Sequence, residues 1–164
     1  MNTKTLAAAL LVSTLAGSAL AEPEYAVIAM SIEVAKPAAA TWARVGGYCD
    51  LGTWMKIDCK VTKGDGGVGS IRSIAGGRIT EVLVAKTDLA YGYVQPAVEG
   101  KPYNLYHGFL EAMPLTAKTS RLNYTLLFDV SALPDQAAKD RDIAGRRALF
   151  EAALKAMKAL AEAK

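Results

Sequence analysis

The sequence has very few residues that bind metals or perform redox chemistry. It contains one histidine, His107, and two cysteines, Cys49 and Cys59, which are separated by nine residues. A redox pair of the CxxC type needs its two sulfurs almost adjacent, and a tetrahedral zinc site needs four ligands, which here would have to include carboxylates. The sequence therefore predicts neither a metal site nor thiol chemistry, and no cofactor.

Sequence motifs of the common enzymes and nucleic-acid binders are also missing. No phosphate-binding loop, metal-binding helix, nucleophile elbow or dinucleotide fingerprint occurs. No run of five or more basic residues is present, and Arg146-Arg147 is only a pair. Beyond the N-terminus, no apolar run is long enough to cross a bilayer. We expect no nucleic-acid partner and no stable membrane insertion. No motif identifies a catalytic residue, and this holds for His107 as well.

The N-terminus has the layout of a cleaved secretory signal. One lysine, Lys4, precedes an apolar stretch that ends in Ala-Leu-Ala at Ala21. A membrane anchor is the alternative, but four small or polar residues interrupt the stretch: Ser13, Thr14, Gly17 and Ser18. We predict a signal peptide over residues 1–21 with cleavage after Ala21, export to the periplasm or the medium, and one domain over residues 22–164.

Export bears on the two cysteines. In an oxidising compartment, cysteines at this spacing usually form a structural disulfide, and two free thiols are the alternative. We expect a disulfide between Cys49 and Cys59 that ties a short helical segment near Asp50–Trp54 to the next strand. Closing this loop would stabilise the fold by about 2.5–3 kcal/mol.

Hydrophobic periodicity predicts strands flanked by helices. A β-rich stretch at 24–35 is followed by a helix that begins near Pro37 and ends at Gly46-Gly47. Glycine-rich turns and β-branched runs then predict antiparallel strands, the last over 120–132. After Pro134 the period changes to that of a helix over 135–163, capped by Asp135.

This order predicts an α+β fold. A curved antiparallel sheet of about seven strands would wrap around the long C-terminal helix, with two short helices after the first strand. A strongly curved sheet need not close tightly on the helix that covers it. We therefore expect a pocket between the sheet and the C-terminal helix, with its mouth near 99–102 and the glycine loop 64–67.

Arg72 and Glu81 form the best candidate polar pair. A two-residue turn at Gly76-Gly77 places them directly opposite each other, on the same face as Ile74 and Leu83. They would either orient a ligand from the pocket wall or form a cross-strand ion pair that only fixes the register, contributing about 0.2–1 kcal/mol. Burial of the pair would favour the first interpretation, because unpaired charge in a pocket is costly.

An ordered set of short motifs resembles a known superfamily. It comprises Ala40-Thr41-Trp42, Tyr48-Cys49-Asp50, Trp54, Cys59, "VGSIR" at 68–72, Glu81 in "ITEVL", Asp88 and Tyr124. Together these residues resemble the polyketide cyclase/dehydrase and lipid-transport family of the SRPBCC superfamily, which also includes START domains, birch-pollen allergens and the abscisic-acid receptors. The resemblance covers about residues 25–160.

The resemblance implies a helix-grip fold around an apolar cavity for lipids, hormones or polyketides. Two departures argue against a receptor of the abscisic-acid type. The lysine that grips the ligand carboxylate in those receptors is replaced here by Ile57, and their gate loop is reduced to Ala75-Gly76-Gly77. The superfamily mixes carriers, receptors and enzymes, so the fold does not decide the activity.

The candidate ligand-binding residues are those that could face such a cavity. Tyrosines combine an apolar ring with a hydroxyl group, although core packing explains them equally well, and the apolar candidates on the C-terminal helix also suit a packed core. The candidates are Arg72, Glu81, Tyr93, Tyr106, Tyr124, Phe128, Phe150, Leu154, Met157 and Trp54.

Three functions remain open at this stage. The leading prediction is an exported, non-enzymatic protein that binds a small hydrophobic ligand of the lipid, polyketide or aromatic type. The resemblance also implies two alternatives: a periplasmic accessory protein that acts through protein contacts, as in methanol oxidation, and a cyclase or dehydratase. In the enzyme, Glu81 or His107 would be required for turnover.

Overall fold

The computed structural model describes residues 22–100 and 103–163. They form one seven-stranded antiparallel sheet in the order β1-β7-β6-β5-β4-β3-β2, two short helices and a long C-terminal helix. The predicted signal segment 1–21 lies outside the described residues. The strands are β1 (Tyr25–Val34), β2 (Cys59–Lys63), β3 (Ile71–Ile74), β4 (Ile79–Thr87), β5 (Ala90–Val94), β6 (Tyr106–Pro114) and β7 (Ser120–Asp129). The helices are α1 (Ala38–Val45), α2 (Leu51–Trp54) and α3 (Gln136–Glu162).

The alternating pattern of the sequence produces a sheet with one buried face. In β7, Leu122, Tyr124, Leu126 and Phe128 are buried while the residues between them are more exposed, as expected for a side-chain period of two. The adjacent strands β1 and β6 continue the buried face, and Met30 lies opposite Tyr124. The expected α+β fold with a long C-terminal helix is confirmed.

The β3–β4 hairpin has the predicted register. Ile74 pairs with Ile79, and Arg72 pairs with Glu81. The turn between them needs left-handed backbone, because φ is +67° at Gly76 and +86° at Gly77, values that glycine adopts without a steric penalty. Turn chemistry and strand alternation thus place Arg72 and Glu81 directly opposite each other on the buried face.

The two short helices lead the chain from β1 to β2. A side chain at Gly46, just after α1, would place its Cβ 2.3 Å from the Trp42 ring, so only glycine fits there. The predicted disulfide is present: Cys49 and Cys59 are joined, with an S–S distance of 2.03 Å. It ties the entry of α2 to the first residue of β2.

Helix α3 covers the buried face unevenly. The Asp135 carboxylate caps its N-terminus by accepting a hydrogen bond from the Ala138 amide at 2.7 Å. All of the buried residues of α3 lie between Phe150 and Ala161, where the helix packs on β1 and α1, and none lies between 136 and 149. The N-terminal half of α3 is therefore less buried than the C-terminal half, although Ile143 packs against the core and Arg147 donates to the carbonyl of Ala29 in β1.

A polar cluster marks the end of β7. The Asp129 carboxylate accepts hydrogen bonds from the backbone amide of Ser131 at 2.8 Å, from the Ser131 hydroxyl and from the Asn104 side chain at 3.3 Å. The Ser131 hydroxyl makes the largest contribution, and these bonds hold the pKa of Asp129 below its usual value.

No helix within 22–100 and 103–163 is both long and apolar enough to cross a membrane.

Candidate functional site

A cavity of about 350 Å³ lies between the sheet and the N-terminal half of α3. Its lining is mainly apolar on the side formed by α2, β3 and β4, with Leu51, Met55, Ile57, Ile74 and Ile79. The volume falls within the range of about 300–1,000 Å³ that small-molecule pockets occupy. The expected pocket is therefore present, and α3 lines it with Arg146, Leu149 and Phe150.

The mouth of the cavity is marked by exposed lining residues. They belong to the β3–β4 turn (Arg78), to the loop after β5 (Val98) and to α3 (Leu149). The glycine loop 64–67, which we expected at the mouth, contributes no lining residue. It connects β2 and β3 at the other end of β3, so that expectation was wrong. Of the expected segment 99–102, residues 101 and 102 lie outside the described residues.

Arg72 and Glu81 form a buried ion pair on the cavity wall. The Arg72 Nη2 and Nε atoms lie 2.6 and 2.8 Å from Glu81 Oε2. Gln95 donates a hydrogen bond of 3.0 Å to Glu81 Oε1, and Arg72 Nη1 donates to the carbonyl oxygen of Tyr48. The Arg72 and Glu81 side chains are only 1% and 5% exposed. The pair thus fixes the strand register and also lines the cavity.

Three tyrosine rings surround the Arg72 guanidinium. The Arg72 Cζ atom lies 4.2, 4.9 and 5.6 Å from the ring centroids of Tyr48, Tyr93 and Tyr91, which is cation–π distance. Burial disfavours the cation, but Tyr91 and Glu81 outweigh it and keep the pKa of Arg72 above its usual value. Burial raises the pKa of Glu81, and Arg72 and Gln95 oppose that rise.

Two buried tyrosines present a hydroxyl group to the cavity. The hydroxyl oxygens of Tyr93 and Tyr124 are 2.9 Å apart, and both residues line the cavity. Burial raises both pKa values well above the usual value, so both hydroxyls keep their protons at neutral pH. One proton joins the pair, and the other has no hydrogen-bond acceptor among the described residues. Gly108 makes room for the Tyr93 ring, since a Cβ there would lie 2.2 Å from Tyr93 Cζ.

A second polar cluster lies where α3 crosses the cavity. Arg146 Nε donates to Asp142 Oδ2 at 2.9 Å, and the Tyr103 hydroxyl donates to Asp142 Oδ1 at 2.8 Å. The Arg146 Cζ atom lies 4.4 Å from the Tyr103 ring centroid and 4.9 Å from those of Tyr106 and Phe128. Burial raises the pKa of Tyr106 to about 12, although Arg146 opposes the rise. This cluster consists of Asp142, Arg146 and Tyr103.

Sequence reasoning did not identify Arg146, Tyr103 or Gln95 as site residues. The helix offered one signal: Arg146 lies four residues after Asp142 and four before Phe150, so all three share a face of α3. Tyr103 and Gln95 lie outside the strands, and their sequence surroundings give no such signal.

The cavity brings together six of the ten predicted residues. Arg72, Glu81, Tyr93, Tyr106, Tyr124 and Phe150 line it. The other four, Trp54, Phe128, Leu154 and Met157, are buried in the hydrophobic core and do not line it. Leu154 and Met157 lie in the half of α3 that contains its buried residues. The Trp54 ring packs in the core with its Nε1 directed at the carbonyl of Val45 at 3.4 Å. His107 faces the outer side of the sheet.

In the described part of the chain, no three His, Cys, Asp or Glu side chains come together in a way that would hold a metal ion.

Comparison with known proteins gives a family and a fold. The profile of the family "Polyketide cyclase / dehydrase and lipid transport" matches residues 25–162. No curated protein matches the sequence significantly. Among solved structures, XoxI from Bacillus cereus is 23% identical, with a TM-score of 0.68 over 84% of this chain and 96% of that chain.

Two further structures have the same fold at lower identity. The Zhui aromatase/cyclase from Streptomyces sp. R1128 is 17% identical, with a TM-score of 0.65 over 85% of this chain and 94% of that chain. The protein Ara h 8.0201 is 14% identical, with a TM-score of 0.63 over 84% of this chain and 98% of that chain. The profile match spans nearly all of the described residues. The chain therefore belongs to the polyketide cyclase/dehydrase and lipid-transport family.

Proposed function

We propose that this chain is an exported protein that holds a small hydrophobic molecule in the cavity between the sheet and α3. The observation that carries the proposal is the cavity itself, in which apolar side chains surround a few fixed polar groups. Ligand sites commonly have this composition, because apolar walls supply affinity and a few polar groups supply orientation. A volume of about 350 Å³ suits a small molecule.

The polar groups on the wall fix the orientation of the guest. The Tyr93–Tyr124 pair has one hydroxyl proton to donate. Arg72 uses three of its five N–H groups for Glu81 and Tyr48, so its remaining N–H groups could reach an acceptor on the guest. Apolar burial supplies the affinity at about 25 cal/mol per Å² of surface removed from water.

Export is supported by the leader-like N-terminus and by the disulfide. A disulfide between Cys49 and Cys59 persists in oxidising compartments and is rare in the cytosol. N-terminal sequencing of protein recovered from the periplasm or the medium tests this part. We expect the mature chain to begin at Glu22, and a protein that keeps Met1 would contradict export by signal cleavage.

Ligand binding is tested with N-phenyl-1-naphthylamine, a neutral probe that fluoresces in apolar surroundings. We expect saturable binding of one probe per protein. Ile79→Trp, which puts a larger side chain into the cavity, should abolish binding of the probe. The control Val27→Trp, at a residue that is 63% exposed, should leave probe binding unchanged. Circular dichroism confirms that each variant folds. If Ile79→Trp does not fold, Phe150→Glu replaces it. Equal binding by the folded cavity variant and the wild type would contradict the site.

A cyclase or dehydratase is the second candidate function. It is favoured by the presence of Glu81 and the tyrosine pair beside apolar space, since these are groups that could move a proton on a confined substrate. Loss of turnover in Glu81→Gln with binding retained would identify an enzyme. His107 does not line the cavity, so His107→Gln should leave any such activity unchanged. An accessory role through protein contacts stays a prediction of the family resemblance.

A further inference from the structure

The cavity lining contains more positive than negative charge. Arg72, Arg78 and Arg146 line it, and Glu81 is its one lining carboxylate within the described residues. Glu81 is committed to Arg72. Arg78 donates to the carbonyl of Ala75 and forms no ion pair with any carboxylate in residues 22–100 and 103–163. A guest that carried negative charge would therefore be favoured over a neutral guest of the same shape.

Arg146 has the geometry of an anion-binding group. The rings of Tyr103, Tyr106 and Phe128 pack around its guanidinium, and Asp142 holds its Nε. The hydroxyl groups of Tyr103 and Tyr106 also interact with this guanidinium by hydrogen bonding, and among the described residues Asp142 is the one carboxylate paired with it. The side chain is 21% exposed. The guanidinium is thus fixed in position beside the cavity, and its Nη groups form no ion pair with a second carboxylate of the described residues.

Arg72 is less suited to this role, although it is more deeply buried. Its Nε and Nη2 bind Glu81, and its Nη1 binds the carbonyl of Tyr48. An anion there would compete with Glu81 for Nε and Nη2 and with the Tyr48 carbonyl for Nη1. Asp142 accepts its hydrogen bond from Arg146 Nε. The edge formed by the two Nη groups faces no second carboxylate partner among the described residues, and at such an edge a planar carboxylate can accept two parallel hydrogen bonds.

We propose that the guest is an organic acid with a compact apolar body, and that its carboxylate is bound by the two Nη groups of Arg146. This inference rests on the proposed ligand-binding function and specifies the chemical class of the ligand. Asp142 and Tyr103 act as positioning residues that hold the Arg146 guanidinium at the cavity. The apolar body would lie against Ile74, Ile79 and Phe150, which line the same cavity.

Titration calorimetry with two probes of equal shape tests the proposal. The first is 2-naphthoic acid, which is anionic at pH 7, and the second is 2-naphthamide, which is neutral. We expect the acid to bind at least about tenfold more tightly than the amide, because charge-assisted hydrogen bonds are about twice as strong as neutral ones. Arg146→Gln should lower the affinity for the acid about tenfold and the affinity for the amide less than about threefold.

Two further variants control for charge and for folding. Arg147→Gln removes the neighbouring arginine, which pairs with Glu151 at 3.8 Å and does not line the cavity, so it should bind both probes like the wild type. Arg146→Lys keeps the charge but loses the two parallel donors, and should bind the acid with intermediate affinity. If Arg146→Gln does not fold, the salt dependence of binding to the wild type tests the same point. Added sodium chloride should lower the affinity for the acid and leave the affinity for the amide unchanged.

The outcomes separate this inference from the proposed function. Equal affinities for acid and amide, or an Arg146→Gln variant that binds the acid as the wild type does, would overturn the organic-acid assignment. If N-phenyl-1-naphthylamine still bound in the cavity, the ligand-binding function would stand. If 2-naphthoic acid, 2-naphthamide and N-phenyl-1-naphthylamine all failed to bind, both proposals would be wrong.

Discussion

Replacement of Glu81 by glutamine would leave a buried arginine without its counter-charge. Arg72 would remain about 1% exposed, and the substituted amide would keep only part of the hydrogen bonding that Glu81 provides to Arg72 and Gln95. Breaking one side of a buried ion pair typically costs about 3–5 kcal/mol. Three tyrosine rings continue to stabilise the cation, so we expect the lower end, about 3 kcal/mol.

A double-mutant cycle separates the ion pair from the packing around it. Arg72→Met removes the cation, and Arg72→Met combined with Glu81→Gln removes both charges. Because neither partner is then left unpaired, we expect the double variant to be about 2 kcal/mol more stable than the sum of the single effects predicts. Urea unfolding at pH 7, followed by circular dichroism with the disulfide intact, measures each free energy of unfolding.

An exposed ion pair provides the matched control. Arg121 and Glu33 are 2.9 Å apart, but their side chains are 37% and 68% exposed. Glu33→Gln should therefore cost less than about 1 kcal/mol. If Glu81→Gln cost no more than Glu33→Gln, or if the effects at positions 72 and 81 were additive, the reasoning about the buried pair would be refuted.

Three further predictions concern stability. Reduction of Cys49–Cys59, or its replacement by two serines, should lower the free energy of unfolding by about 2.5–3 kcal/mol in urea unfolding, and no change would contradict a structural role. Gly108→Ala should cost about 1–3 kcal/mol, because the added methyl group displaces the Tyr93 ring, and an unaltered melting temperature would show that the ring moves freely. The pKa of Asp129 is lowered in the folded state, so its stabilisation is complete above the unfolded pKa of about 3.9 and is lost as pH falls through the lower folded pKa. Asp129→Asn should therefore destabilise the protein at pH 7 and much less at pH 2, whereas an equal loss at both would refute the assignment.

The parts of the fold that depend on local rules were predictable from the sequence. Gly76-Gly77 and the alternation on either side of it determine the β3–β4 register, which places Arg72 opposite Glu81. The change of period after Pro134 and the Asp135 cap determine where α3 begins. In both cases a turn or cap residue and a hydrophobic period indicate the same structure, and tertiary contacts do not override it.

The division between core and cavity was not predictable. Phe150 and Leu154 are one turn apart on α3 and have the same apolar character, yet Phe150 lines the cavity and Leu154 does not. The difference depends on where the buried part of α3 begins, which is at Phe150, and neither residue encodes that position by itself. Arg146 was missed for a related reason: an Asp-Arg pair at a spacing of four residues is typical of a solvated helix face. It lines the cavity because the three aromatic rings that pack around it belong to the cavity end of the sheet and the loop before β6.

The central claim, that a guest occupies the space between the sheet and α3, is tested most directly by methyl NMR during titration with 2-naphthamide. Methyl groups of Met55, Ile74 and Ile79, which line the cavity, should shift progressively and saturate at one equivalent. Those of Val27 and Val84, on the outer face of the sheet, should stay unchanged. Shifts confined to the outer face, or none at saturating probe, would contradict the account.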